Sequence, residues 1–409
     1  MTWIALALLL QHPPEGSASI DRLKADPTIA RALDYVRNNE PQTLDEQVRL
    51  CEIPAPPFKE TARAHAYRRA FAAHGLRNVR IDAVGNVIGE RPGRSARPNV
   101  VLSAHLDTVF PEGTNVRTSR SGSVIKGPGI GDDCRGLAVV LAVVRALNEH
   151  RIQTPGTLTF VGTVGEEGLG DLRGVKHLFD EEMNGRVDAF VSVDGAGHGI
   201  TYGAVGSRRY RVTIKGPGGH SYGDFGAANP AHALGRAIAR IGDFQVSTEP
   251  KTTFNVGRIG GGTSVNSIPF EAWMEVDMRS IDAAALSALD RTFHQALDAA
   301  LADEHTRWEG RGTLEMERTL VGFRPAGRVP QSAPIVQTTV AATRAVGLPL
   351  SLVESSTDSN YPISLGIPAV TIDGGGTGDG AHSLGEWFDT RDSWLGTARA
   401  LLLVLALSQ

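Results

Sequence analysis

Cysteine is nearly absent: Cys51 and Cys134 are the only two among 409 residues, too few for a disulfide framework or a thiolate metal cluster. Any metal bound by this chain must therefore be held by oxygen and imidazole nitrogen. Charge of one sign is also lacking, since 41 Lys and Arg face 45 Asp and Glu for a formal net charge of -4. That balance gives no reason to expect nucleic acid or a membrane surface as partner. No run reaches the roughly 20 apolar residues of a membrane span, and Leu401 to Leu407 reads as the end of a buried helix beginning near Trp394. There is no internal repeat and no low-complexity segment. Trp3 to Leu10 is apolar and Ser17-Ala18-Ser19 would suit a cleavage site, but no Lys or Arg precedes the run and it is short for a signal core. The cytoplasm is the expected compartment, with export by a weak N-terminal signal as the alternative.

What is present is an ordinary globular composition, 41% hydrophobic and 21% charged, in a chain too long for one core. From Ser19 to about Ala73 it reads as helical, broken at Pro54-Ala55-Pro56-Pro57. Val79 to Arg91 reads as a strand, a turn at Gly85-Asn86 and a second strand. Strand and helix then alternate as far as the buried strand Ala189 to Asp194, the pattern of a mostly parallel sheet with helices on its faces. The pattern changes after Ser207. Strands at Arg209 to Lys215, Thr253 to Ile259 and Phe270 to Arg279, with helices opened by Asn229-Pro230 and by Asp282, predict a smaller α+β unit with an antiparallel sheet. Alternation returns near Pro325, with a helix over Ala333 to Ala345 and a strand over Ala369 to Asp373. The expected fold is thus α/β, a mixed and mostly parallel sheet with flanking helices, in which residues 19–206 and 325–409 form one domain and 207–324 interrupt it.

The chemistry concentrates between Val100 and Glu167. Val100 to Leu102 and Thr157 to Val164 are β-branched, apolar runs of strand length, so His105/Asp107 and Glu166/Glu167 fall at the carboxyl ends of strands, the edge where open α/β sheets bind ligands. Asp132-Asp133 precedes a long apolar helix and reaches the same edge; the pair also suits a helix N-cap. So many carboxylates cannot stay ionised together without cations among them. The pattern reads as a metal site.

Ser103-Ala104-His105-Leu106-Asp107-Thr108-Val109, Gly131-Asp132-Asp133, Gly165-Glu166-Glu167, Val193-Asp194-Gly195, Gly219-His220-Ser221, Asn266-Ser267-Ile268-Pro269 and Ala381-His382 resemble, in order, the motifs of the M20 metallopeptidase family, which includes peptidase T, carboxypeptidase G2 and aminoacylase-like di-zinc hydrolases. The resemblance implies a catalytic domain with two divalent ions, zinc before cobalt or manganese, and a lid domain through which two copies form a homodimer. It implies His105, Asp132 and Asp194 as ligands of one ion and Asp132, Glu167 and His382 as ligands of the other, with Asp132 bridging. Asp107, on the strand face of His105, would orient its imidazole. Glu166 would be the general base that takes the proton of a shared water. Glu112, Asp171, Asp379 and Glu386 are expected as supporting or surface groups.

Three residues are expected at the substrate. Arg279 offers a fork for a carboxylate, or else a structural ion pair. Asn266 resembles the family's substrate-contacting Asn. His220 is either a loop histidine or, as the resemblance implies, a group reaching the active site of the partner subunit to stabilise the oxyanion. The family often carries Lys shortly after the bridging Asp, where this chain has Asp133-Cys134-Arg135; Arg135 would supply that charge from one position further on, and Cys134 would be a small buried residue. The resemblance also implies a cis peptide at Asp132-Asp133. The expected activity is cleavage of amide bonds in short peptides, because Asp194 stands where other branches carry Glu. The alternatives are an N-acyl-amino-acid deacylase or carboxypeptidase and, from another class, a binding protein on a degenerate scaffold, against which stands the completeness of the ligand set.

Overall fold

The computed structural model describes residues 15–409; the run Trp3 to Leu10 lies outside the described residues. Among those described, no helix is long and apolar enough to cross a membrane. The described residues begin with helices Glu15–Ala25, Pro27–Asn38, Glu40–Cys51 and Thr61–Ala73, and the proline-rich break separates the third from the fourth. Asp26 caps the second, its Oδ1 accepting from the Thr28 amide at 2.7 Å with Pro27 at the first helical position.

The main sheet has nine strands. In spatial order they are Arg77–Ile81, Val87–Arg91, Thr157–Thr163, Asn99–His105, Ala189–Val193, Ala369–Ile372, Gly199–Ala204 and Gly327–Arg328, with Ser351–Ser355 also paired to Gly199–Ala204. Its centre is parallel: Asn99–His105 pairs in parallel with both Thr157–Thr163 and Ala189–Val193, which in turn pairs in parallel with Ala369–Ile372. Successive side chains leave opposite faces. Val100, Leu102, Ala104, Leu158, Phe160 and Val191 join the core on one face, whereas Val101, Val161 and Phe190 join the other. Being covered on both sides is why these strands read as continuous apolar runs; each large side chain so buried contributes about 1.5–3 kcal/mol. Helix Cys134–Glu149 is buried from Cys134 through Leu147, because it lies between the Asn99–His105 strand and helices Pro27–Asn38, Glu40–Cys51 and Trp394–Leu407.

A separate sheet is antiparallel, in the order Thr252–Gly261, Glu271–Ser280, Gly206–Lys215 and Glu315–Arg324. The central strand Glu271–Ser280 alternates strictly between half-buried and buried positions, since helices Pro230–Gly242 and Ala283–Arg307 cover one face only. Asn229 and Asp282 cap those two helices as their sequences predict. The fold class is therefore the expected one. Four strands that the sequence does not announce complete the two sheets: Gly199–Ala204, Gly327–Arg328 and Ser351–Ser355 in the first and Glu315–Arg324 in the second. A third, small sheet of Thr377–Asp379, Trp387–Asp389, Val124–Lys126 and Ser119–Ser121 carries the turn that bears His382 and fastens it beside the loop of Asp132.

Candidate metal centre

Because Asn99–His105, Thr157–Thr163 and Ala189–Val193 are adjacent and parallel, the residues that end or follow them emerge at one edge. His105 closes the first, Glu166 and Glu167 follow the second and Asp194 follows the third. Asp132 arrives from the loop ahead of helix Cys134–Glu149, and its peptide bond to Asp133 is cis, as the resemblance implies. His382 enters from the far end of the chain, at a φ of 65° in the tight turn of the small sheet.

The candidate ligand atoms fall into two groups that share one carboxylate. Asp132 Oδ1 lies 2.9 Å from His105 Nε2, and Asp194 Oδ1 lies 3.8 Å from the same nitrogen. Asp132 Oδ2 lies 3.1 Å from His382 Nε2, which is 3.0 Å from Glu167 Oε1. His105, Asp132 and Asp194 bring one ligand atom each within 4.8 Å of one another, as do Asp132, Glu167 and His382. The two oxygens of Asp132 thus face two different imidazoles, the geometry of a bridge. Imidazole mixed with carboxylate is a donor set suited to zinc and its neighbours, so the residues present fit a pair of divalent ions.

The surrounding hydrogen bonds hold these groups in place. His105 Nδ1 is 3.1 Å from the main-chain oxygen of Asp107, which leaves Nε2 to face the shared site. The orienting contact is thus the Asp107 backbone and not its carboxylate, which stands 3.7 Å from Nδ1. That carboxylate instead accepts the amides of Glu166 at 3.1 Å and Glu167 at 2.8 Å. Asp107 is fully buried and a step removed from the reacting space. Asp133 accepts from the amides of His105, Gly136 and Gly195 at 3.0, 3.0 and 3.2 Å, tying three loops together as well as capping the helix. Gly136 is required there, because a Cβ would stand 2.3 Å from Asp133 Oδ1 and 2.4 Å from the Val193 oxygen. Glu386 is a buried support: it accepts from the amides of Gly129 and Gly131, both at 2.7 Å, and of Asp132 at 3.0 Å.

Electrostatics express the crowding of negative charge. Burial alone would lower the pKa of His105, but Asp107, Asp132 and Asp194 drive it well above its ordinary value. Hydrogen bonds to Asp132 and Glu167 push His382 up to about 10. Burial would raise Asp132, yet the two imidazoles pull it below the usual carboxylate range. Burial raises Glu167 against the pull of His382, and raises Glu166 well above its ordinary value despite the guanidinium of Arg324. The carboxylates thus favour the positively charged form of both imidazoles.

Beside these groups is a cavity of about 490 Å³, lined by Asp132, Glu166, Glu167, Asp194 and His382 and also by Arg209, Arg279 and Arg324. Arg279 is therefore at the cavity, and it is also in an ion pair: Asp277 takes its Nε at 2.7 Å and Arg209 Nε at 2.9 Å. His220 and Asn266 do not line this cavity. His220 ends the strand Gly219–His220, which pairs with Ser267–Ile268, and Asn266 stands in the turn just before that second strand; both are exposed, and the His220 Nδ1 accepts the amides of Tyr222 and Gly223 at 3.2 Å. Arg135 corrects an expectation. Helix geometry turns it from the metal edge into the core, where it meets the carbonyls of Gly374 and Ser393 at 2.8 and 2.6 Å and Glu40 at 2.8 Å. Cys134 is buried. Sequence reasoning missed Arg209, Arg324 and the buried Asp358, whose Oδ2 accepts from Thr163 Oγ1 at 2.6 Å.

An edge that gathers imidazole and carboxylate around two adjoining points, with a spare glutamate facing a cavity, is the arrangement of a metallohydrolase. The sequence profile of Peptidase family M20/M25/M40 matches residues 101–407, and the chain belongs to that family, which makes it a metallopeptidase-type hydrolase. It is 26% identical over 349 residues to YqjE of Bacillus subtilis, covering 82% of this chain and 90% of that one. It is 27% identical over 238 residues to a succinyl-diaminopimelate desuccinylase of Corynebacterium glutamicum, covering 56% of this chain and 64% of that enzyme. The fold is similar to that of a tripeptidase from Staphylococcus aureus, with a TM-score of 0.74 at 22% identity over 90% of this chain and 99% of the other.

Proposed function

We propose that this protein hydrolyses amide bonds of short peptides with the help of two divalent ions, most suitably zinc. The observation that carries the reading is Asp132, whose two oxygens face His105 and His382 at 2.9 and 3.1 Å and so serve both ligand triads. Ions held there would polarise the scissile carbonyl and lower the pKa of a shared water toward neutrality. His105 and Asp194 hold one side, Glu167 and His382 the other. Glu166, beside a ligand but paired to Arg324, takes the water's proton and passes it to the leaving amine. Arg279 faces the same cavity and is placed to pair with a substrate carboxylate.

The division of the chain at 206/207 and 324/325 separates, in this reading, a catalytic unit from a lid. His220 and Asn266 lie outside the cavity of their own chain, which supports a homodimer in which the lid of one subunit completes the site of the other. The preference for peptides rests on Asp194 in place of Glu. A second reading, an N-acyl-amino-acid deacylase or carboxypeptidase, is favoured by the likeness to a desuccinylase. Hydrolysis of di- and tripeptides against N-acyl-amino acids, each with and without chelator and added Zn²⁺, Co²⁺ or Mn²⁺, separates the two. Metal-dependent cleavage of acyl-amino acids alone would select the second, and no cleavage of any amide would leave a binding protein.

A further inference from the structure

Two adjacent glutamates follow the strand Thr157–Thr163, and the ligand triads alone do not decide which binds an ion and which stays free. His105, Glu166 and Glu167 also bring ligand atoms within 4.8 Å of one another. Glu166 is thus close enough to fall into the ligand set. The two are chemically identical and nearly equal in burial, 5% and 7% exposed. Their partners differ. Glu167 Oε1 faces His382 at 3.0 Å, whereas Glu166 Oε1 faces Nη1 of Arg324 at 3.0 Å.

Arg324 grips more than the carboxylate. Its Nη2 donates to the main-chain oxygen of Glu166, and its Nη1 also donates to Ser356 Oγ at 3.1 Å. The side chain is 5% exposed, so little water competes for these bonds. A planar fork can hold a backbone oxygen and a carboxylate at once; a single ammonium cannot reproduce that geometry. Arg324 is moreover the last residue of its strand, and the residue before it is anchored to the segment that follows Glu167: the Phe323 amide donates to Asp171 Oδ1 at 2.7 Å, and Lys176 Nζ, on helix Arg173–His177, donates to the Phe323 oxygen at 2.8 Å. The guanidinium is therefore delivered to a fixed point.

We propose that Arg324 is a positioning residue that keeps Glu166 out of the metal-ligand set, so that Glu167 binds while Glu166 remains free to carry a proton. The inference rests on the two-metal reading above. It requires that loss of the guanidinium convert Glu166 from a base into a ligand. Activity would then fall while metal affinity is kept or increased, the reverse of what a damaged site does.

The experiment compares wild type, R324M, R324K, E166Q and R324M/E166Q after loading with Co²⁺, following the visible absorption of the ion, its affinity by calorimetry, and kcat and KM on a cleaved peptide or acyl-amino acid. Absorption weakens as coordination number rises. R324M is expected to bind Co²⁺ at least as tightly as wild type, to absorb more weakly and to lose kcat by at least about 100-fold, the contribution of a general base, with KM changed less. In R324M/E166Q the absorption should return to that of E166Q, and added guanidinium ion should restore part of the kcat of R324M. R324K should be intermediate in absorption and kcat, and it decides the matter should R324M fail to fold. A wild-type spectrum and kcat in R324M or R324K would overturn the inference alone, as would Co²⁺ affinity lost together with activity in a folded variant. A wild-type chain that takes up no Co²⁺ overturns the two-metal reading and this inference together.

Discussion

Asp132 Oδ2 lies 3.1 Å from His382 Nε2, a contact that joins the loop ahead of the central helix to a turn near the end of the chain. In the metal-free protein that contact is an ion pair, since His382 is pushed up to about 10 from an ordinary 6.5.

Loading the site with zinc should therefore release protons. A metal ligand must be a neutral imidazole, while His382, pushed up to about 10 by its hydrogen bonds to Asp132 and Glu167, carries a proton at pH 8, and the carboxylates around His105 raise it in the same direction. Titration calorimetry in buffers of different ionisation enthalpy should give a net release of at least about one proton per site; heats independent of buffer would contradict it. The same shift fixes a sign for stability. A raised histidine stabilises the metal-free fold fully below about 6.5 and loses that contribution as pH rises through about 10, so the metal-free Tm should fall across this window.

Replacing Glu166 should separate binding from turnover. E166A removes the proposed base and leaves all five proposed ligands, so metal content should match wild type while kcat falls by about 100-fold or more. Retention of more than about a tenth of wild-type activity would show that another group takes the proton.

Asp107 should matter through the backbone it holds. In D107N one of the two acceptors for the Glu166 and Glu167 amides becomes an NH₂ facing an N–H, and the loop that positions both glutamates loses a charge-assisted bond. A loss of about 10- to 100-fold in metal affinity or activity is expected, read by competition with a chelator and by kcat. A variant indistinguishable from wild type would mean that the loop is held by other contacts.

How much of this was legible follows from where the signals come from. Asn99–His105 and Thr157–Thr163 are buried on both faces, so composition alone marks them, and whatever ends them lies at the ligand edge. Glu315–Arg324 has mostly exposed or half-buried positions, which leaves it without apolar alternation, and Arg324 was missed with it. Gly199–Ala204 carries two glycines and no clear pattern. His382 sits in a turn at positive φ; spacing does not predict it, and only the likeness to a family does. The roles of Asp107 and Glu386 depend on which amides face their oxygens, a property of the folded backbone. Arg135 was misplaced because a helix advances its side chains by about 100° per residue, which carries the position after Cys134 away from the edge that Asp132 faces.

The proposed homodimer makes a demand on mixtures of inactive chains. His220 is exposed and lies off the cavity of its own chain, yet the family resemblance gives it a place at the oxyanion. If it acts across the dimer, E166A and H220A chains should complement each other. In the heterodimer one site lacks both groups, while the other has its own Glu166 and receives His220 from the E166A partner. That site is complete, so the separated heterodimer should show about half of wild-type activity, as expected when only one of two independent sites stabilises the oxyanion and moves the proton. If His220 instead folds back onto its own chain, each site lacks one group and mixing restores nothing. Co-refolding differently tagged mutants, isolating the doubly tagged species and assaying it beside the two mutant homodimers distinguishes the cases; activity no higher than that of the homodimers rejects the trans role. A chain that stays monomeric at assay concentration by light scattering, yet is active, would reject it as well.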